Sequence, residues 1–288
     1  MRVPSFEDTA GILDSVALND AKLQIREFES SYIGDIQYAT DIYHAQKLGM
    51  RLRRLEVELN GGELVFDGGM FQSSTGDIKF NRVKVNPMEL FRGAIRRAND
   101  ESFFRPSVSG RGRVILESSF RFIKLLKLRN PSKVVLEKGL YLASSGQFEF
   151  KTTKNLDLGY MMFSNKSTFQ TDVRGRGVLA LELPVHPDEL EKHEVHPNQP
   201  FRVDGDYVLY WVGDLKRSVR TSSTLFGSMV NGEGLVEEYS GSGYVMTAPT
   251  IGYYKTLSTG KEERLQDTAN NGKQRPHGGF LSRLLGNR

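Results

Sequence analysis

Alternation of apolar and polar residues dominates the chain. Lys22-Leu23-Gln24-Ile25-Arg26-Glu27-Phe28 alternates with period two, the mark of a strand with one buried face. Leu52 to Leu64, LRRLEVELNGGEL, reads as two strands joined at Asn60-Gly61-Gly62, a hairpin-type turn. Asp67-Gly68-Gly69-Met70-Phe71 reads as a further turn into a strand. One segment changes period. In Asn86 to Arg97, Asn86 suits an N-cap, Pro87 the first helical position and Glu89 the positive end of the helix dipole. Leu90, Phe91, Ala94 and Ile95 form one apolar stripe, so the pattern predicts a single short helix near residues 87–98, packed across a sheet face.

The most informative pattern is an internal repeat. Gly110-Arg111-Gly112-Arg113-Val114-Ile115, Gly175-Arg176-Gly177-Val178-Leu179 and Gly241-Ser242-Gly243-Tyr244-Val245-Met246 start about 65 residues apart. A second landmark keeps step. Gly139, in Lys138-Gly139-Leu140-Tyr141, falls 29 residues after Gly110, and Gly205, in Asp204-Gly205-Asp206-Tyr207, falls 30 after Gly175. Two landmarks in register predict three related strand sets that share a core, since one set cannot bury its apolar face alone. Gly110, Gly112, Gly175, Gly177, Gly241 and Gly243 are read as structural turns. There glycine supplies positive φ or close backbone approach as the chain enters a strand.

Composition narrows the classes. Hydrophobic residues make up 38% of 288, enough for a folded core. The 29 glycines fit an all-β fold with many turns. Without cysteine there are no disulfides and no thiolate metal sites. The start, MRVPSFEDTAG, lacks a basic-then-apolar signal layout, and no apolar run approaches the roughly 20 residues of a membrane span. A cytoplasmic location is expected. The net charge of +4 equals the four cations Lys273, Arg275, Arg283 and Arg288 near the C-terminus, so the preceding body is nearly neutral. That balance disfavours a nucleic-acid-binding face on the folded body.

The run ELFRGAIRRANDESFFRPSVSGRGRVILE, Glu89 to Glu117, resembles the signature of the AIM24 family: a short helix, an E-S-x-F strand and a G-x-G turn. NGEGLVEEYSGSGYVMT, Asn231 to Thr247, is similar to the family's C-terminal motif, and Asp67 to Phe71 to its early G-x-M turn. The resemblance covers roughly residues 50–255. It implies a fold similar to a double-stranded β-helix, of the kind shared with tryptophan RNA-binding attenuation proteins. A mitochondrial relative is associated with organising inner-membrane contact complexes, while bacterial members generally lack an assigned activity. The family brings no catalytic residues to this chain. The first fifty residues exceed what a minimal member needs, and the segment after Gly260 has no counterpart in the family's pattern.

Other chemistry weighs less. His186, His193 and His196, with Asp188, Glu189 and Glu194, hold metal-type ligands, but two prolines in HPDELEKHEVHP favour a solvated surface loop. Gly175-x-Gly177-x-x-Ala180 matches a dinucleotide fingerprint, yet a β-branched run and prolines follow it where a helix is needed. No G-x-S-x-G elbow occurs, and Ser144, Ser145 and Ser240 read as turn serines. Arg121, Lys124, Lys127, Arg129 and Lys133, interleaved with Phe120, Phe122, Leu125 and Leu128, make a candidate contact for an anionic ligand. The competing reading is an edge strand whose cations deter aggregation, and it is favoured. The Phe280–Leu285 island and the four terminal cations offer a second docking element, against a plain flexible tail.

The expectation is therefore an all-β body, double-stranded β-helix or barrel-like, with three internal β repeats and one short helix. Residues 1–50 add strands, 51–258 form the AIM24-like β domain and 259–288 a flexible basic tail. The function expected is that of a non-enzymatic scaffold or interaction protein, a homo-oligomer with protein partners and no cofactor. The alternative is a binding module for RNA or membrane lipid through the basic stretch and tail.

Overall fold

A computed structural model describes residues 10–29, 36–81, 105–154, 169–220 and 236–258. The described residues up to 249 are mostly antiparallel β-sheet, ordered by hydrogen bonding into one 12-stranded sheet. Its strands are β1 (Ala10–Ala17), β2 (Ala21–Phe28), β3 (Arg53–Phe66), β4 (Phe71–Phe80), β5 (Ser107–Leu116) and β6 (Phe122–Leu136). They continue with β7 (Tyr141–Lys154), β8 (Phe169–Leu183), β9 (Glu191–Val195), β10 (Phe201–Asp204), β11 (Val208–Arg220) and β12 (Val236–Thr247). Helix α1 (Ala39–Lys47) lies between β2 and β3 and buries none of its residues. Helix α2 (Ile251–Ser258) belongs to a separate unit that begins at Thr250. The helix expected near residues 87–98 and the tail 259–288 lie outside the described residues.

Strand pairing resolves the repeat into three units of one design. Each has a long first strand interrupted midway, a glycine turn, a second strand, and a third strand carrying G-x-G. The third strand lies between the other two. In the first unit β5 pairs with both β3 and β4. In the second, β8 pairs with β6 and β7. In the third, β12 pairs with β11 and with β9 and β10, which together replace the long first strand. The interruptions correspond: the register shifts between Asn60 and Glu63 in β3 and between Leu128 and Ser132 in β6, and β9 stops at Val195 before β10 begins at Phe201.

Two sequence expectations change. Asn60-Gly61-Gly62 is a bulge within the continuous strand β3, not a hairpin turn. The partner β5 runs past it unbroken, and an added Cβ at Gly62 would lie 2.7 Å from the Asp20 carbonyl oxygen. The G-x-G pairs Gly110/Gly112, Gly175/Gly177 and Gly241/Gly243 also sit inside strands rather than at turns, and they close each unit instead of opening it.

Their physical role is close approach between strands. The second glycine of each pair faces a single glycine on the neighbouring strand: Gly112 opposite Gly76, Gly177 opposite Gly146, Gly243 opposite Gly213. At Gly177 (φ +138°) an added Cβ would sit 2.3 Å from the Ser145 carbonyl oxygen, and at Gly175 (φ +149°) 1.9 Å from that of Gln147. No side chain fits in that space.

Units join through one repeated contact. The end of the first strand pairs with the start of the second strand in the next unit. Leu64, Val65 and Phe66 of β3 face Ser145, Ser144 and Ala143 of β7. Val134, Val135 and Leu136 of β6 face Val212, Trp211 and Tyr210 of β11. The same backbone bond closes both junctions: Asp67 N–H donates to Leu142 at 2.9 Å, and Glu137 N–H to Leu209 at 3.0 Å. All twelve of these paired residues except the half-buried Val65 are buried. Among the described residues the sheet is open rather than closed into a barrel, with β4 at one end of the three-unit path and β10 at the other. Strands β1 and β2 add to the outer edge of β3. Core residues Leu23, Leu55, Val57, Leu64, Phe66, Val114 and Leu116 interlock under the first unit and Leu142, Val178 and Ala180 extend that core into the second.

Gly175→Ala should lose at least ~2 kcal/mol of stability, because the side chain meets strained φ and a backbone oxygen at once. Gly11→Ala, with open space and no unusual φ, should stay within about 0.5 kcal/mol of the parent. Equal urea midpoints for the two variants would refute the crossing constraint.

Candidate functional site

The basic stretch lies along β6 and just before it. Residues 122–133 of β6 pair with β8 on one side and, among the described residues, with no strand on the other. The five cations do not form one surface. Arg121 approaches Glu182 at 3.8 Å and donates to the Gly139 carbonyl at 3.3 Å, and Lys133 lies 3.8 Å from Asp172. Lys124, Lys127 and Arg129 have no carboxylate within ion-pair distance among the described residues. Lys124 and Lys127 are three positions apart in a strand, which turns them to opposite faces. Of the two aromatic side chains expected to interleave with them, Phe122 is occupied elsewhere: it takes the Arg53 guanidinium over its ring at 4.1 Å and packs edge-to-face with His186 at 4.9 Å.

The histidines do not converge. His186 precedes a short 3-10 turn and accepts from Asp188 N–H at 3.2 Å. His193 belongs to strand β9, not to a surface loop. It is drawn in because β9 pairs with β12, where its ring reaches the Thr247 hydroxyl at 3.0 Å and stacks on Phe201 at 4.2 Å. His196 is exposed in the turn after β9. No group of three or more His, Cys, Asp or Glu residues is arranged to hold a metal ion among the described residues. Ser144 and Ser145 are not turn serines either. Both are buried in β7, where Ser144 bonds the Tyr141 hydroxyl at 2.9 Å and Ser145 donates to the Glu63 carbonyl at 2.9 Å. Ser240 lies within β12.

The concentrated chemistry is buried ionic, and it sits on side chains that the sequence pattern does not single out as a site. Arg217 of β11 lies 3.7 Å from Glu137 and 3.5 Å from Glu237, and Gln170 donates to Glu137 at 2.6 Å. The Tyr239 hydroxyl donates to Glu237. Burial, with the Glu237 charge adding to it, holds the Tyr239 phenol well above its usual pKa, so it stays a donor. The Arg217 guanidinium also lies over Trp211 at 5.5 Å. A second cluster crosses β2 and β3, where Glu56 is 2% exposed, is bonded by Arg54 and lies 3.4 Å from Arg26. The acids of VEEYSG within an otherwise apolar strand motif were the available signal for the first cluster.

A groove of about 300 Å³ is lined by Asp20, Gly61, Gly62, Glu63, Asn81, Ser109, Gly146 and Gln147. Three of its polar side chains, Glu63, Asn81 and Ser109, already bond one another. Asn81 donates to Glu63 at 2.7 Å, and Ser109 donates to Asn81 at 2.9 Å. None of the five basic-stretch residues lines it.

Asp67, at the first junction, has its carboxyl pKa raised by burial, with the Arg105 charge and the Gly68 backbone N–H acting the other way. A raised folded-state pKa means stability that is full below the unfolded value and falls as pH rises through the folded one. Asp67→Asn lacks this loss. Its melting temperature relative to the parent should therefore rise as pH increases from about 4 to 7. A difference that is flat with pH would refute the assignment.

Comparison with known proteins agrees with this architecture. A Streptococcus pyogenes protein of known crystal structure is similar in fold at a TM-score of 0.51, with 18% identity over 73% of this chain and 94% of the other. No curated protein sequence matches the chain. No helix among the described residues is long and apolar enough to cross a membrane. The family profile described as Mitochondrial biogenesis AIM24 matches residues 45–250, spanning all three units, and the chain belongs to that family.

Proposed function

We propose that this chain is a non-enzymatic interaction protein that works as a homo-oligomer in the cytoplasm and presents its sheet to protein partners. The observation that carries the reading is the use made of the repeated motif. The residues that recur most strictly, the facing glycines of the three units, are spent on backbone crossing and leave no side chain for chemistry. The charged groups inside the sheet are likewise taken up by one another. What the chain offers outward is edge and surface. The second strand β4 is half-open, and α1 with its flanks exposes Ile36 (89%) and Leu48 (77%).

Sedimentation of the full chain across a concentration series should give a mass that is a multiple of 32.5 kDa. A single species of 32.5 kDa at every concentration, with no partner retained from extract, would remove the oligomeric scaffold reading.

A second reading rests on Lys124, Lys127 and Arg129, which lie on or beside the unpaired edge of β6 without acidic partners among the described residues. They would contact an anionic ligand, RNA or membrane lipid. Lys127→Gln with Arg129→Gln should then weaken binding to a labelled RNA or to anionic vesicles and flatten the log–log salt slope by about two. Unchanged affinity and slope would exclude this edge as the contact.

A further inference from the structure

The three units form a ribbon with two matching ends. Along the hydrogen-bonding direction the order is second strand, third strand, first strand, repeated: β4, β5, β3, then β7, β8, β6, then β11, β12 and the β9/β10 pair. Both internal junctions have the same grammar. The end of a first strand meets the start of the next second strand. Among the described residues, the ribbon therefore begins with a second strand, β4, that no first strand meets, and finishes with a first-strand end, β10, that meets no second strand.

Register within each unit names the equivalent positions. Leu64 and Val134 face the residues two before each G-x-G, Val108 and Val173. In the third unit Phe201 faces Tyr239, two before Gly241. Phe201 and Val203 are thus the counterparts of Leu64 and Phe66, and of Val134 and Leu136. On the other side, Ser145 and Val212 each precede the glycine that faces G-x-G, as Thr75 precedes Gly76. Thr75 and Ser73 are the counterparts of Ser145 and Ala143. The third junction would therefore set Phe201 against Thr75 and Val203 against Ser73.

Burial agrees that this contact is unmade in the single chain. Ala143, Ser145, Tyr210 and Val212 are buried, whereas Ser73 and Thr75 are exposed and Phe201 and Val203 half-buried. The chemistry is complementary as well. The first junction sets bulky Leu64 and Phe66 on small Ser145 and Ala143, and the third would set Phe201 and Val203 on Thr75 and Ser73. Phe71 to Gly76 carries no charge, proline or inward cation to deter pairing, the usual protections of an exposed edge.

We infer that β10 of one chain adds to the free edge of β4 on a second copy, repeating the internal junction between chains. The contact is head-to-tail: one copy gives its terminal first strand and the next its leading second strand. Such contacts generate rings or filaments according to whether the rotation closes. This inference rests on the oligomeric reading above and adds where the copies meet.

The absence of cysteine supplies a clean test. Full-length Ser73→Cys and Val203→Cys chains would be purified separately, checked for the parental melting temperature, mixed and oxidised. Directly opposed strand residues bring their Cβ atoms within roughly 4.5–5.5 Å, close to disulfide reach, and a short bismaleimide covers any shortfall. The expected result is a covalent dimer in the mixture and none from either variant alone. Thr75→Cys mixed with Phe201→Cys probes the same junction if one of the first pair folds poorly. A chain carrying both Ser73→Cys and Val203→Cys should form a ladder of linked species. An internal link in place of the ladder, or dimers from Ser73→Cys alone, would overturn the head-to-tail assignment. Sedimentation separates the remaining failures. Oligomers without cross-links would overturn this edge and leave the oligomeric reading standing, while a monomer throughout would overturn both.

Discussion

Contact between backbones where strands cross is the constraint on which this architecture depends. In each unit two facing strands approach so closely that an added Cβ would fall about 2 Å from a carbonyl oxygen, well inside any van der Waals distance. Glycine is required on both sides, and it recurs at Gly76/Gly112, Gly146/Gly177 and Gly213/Gly243. Because the third strand of each unit is held so tightly to the second, its other edge is presented to the first strand in a fixed direction. The ends of the first strands then fall where the next unit can receive them. Burial of Phe66, Leu136, Tyr210 and their neighbours follows from that placement.

The sequence shows the repeat because G-x-G pairs at even spacing are rare and visible. It hides the frame. The first strands are interrupted by three different sequences, Gly61-Gly62, Arg129-Asn130-Pro131 and the His196–Pro200 turn, with no residue type common to all three. The single glycines opposite G-x-G carry no local signature either, and only their distance from the next pair marks them. Asn-Gly-Gly serves equally as a hairpin turn or a bulge, and the continuous partner β5 decides which. Ser144 and Ser145 look like turn residues locally. They are buried because small side chains are needed beneath Val65 and Leu64, a demand made by a strand some 80 residues away.

The candidate site was legible only as composition. Five cations near 121–133 are real neighbours in sequence, yet strand geometry sends Lys124 and Lys127 to opposite faces, and Glu182 and Asp172 engage two of the others. Arg217, Glu137 and Glu237 lie far apart in the chain, and only the meeting of β6, β11 and β12 assembles them. Buried ionic chemistry is thus found where the second and third units meet and between β2 and β3, rather than in the groove beside Asp20 and Asn81.

Three units of one design carry a hazard: like strands can join in the wrong order, a recognised failure of repeat architectures. The two internal junctions differ in ways that discriminate between them. The first pairs bulky Leu64 and Phe66 with Ala143 and Ser145, the second pairs Val134 and Leu136 with Tyr210 and Val212, and only the second has Arg217 nearby to neutralise Glu137 and Glu237. Docking β7 where β11 belongs would take Arg217 away from Glu137, while Glu237 would keep it within the β11–β12 pair, and losing that buried partner costs on the order of 3–5 kcal/mol. The Arg217–Glu137 pair then acts as an address label, written in charge, that marks the third unit as the neighbour of the second.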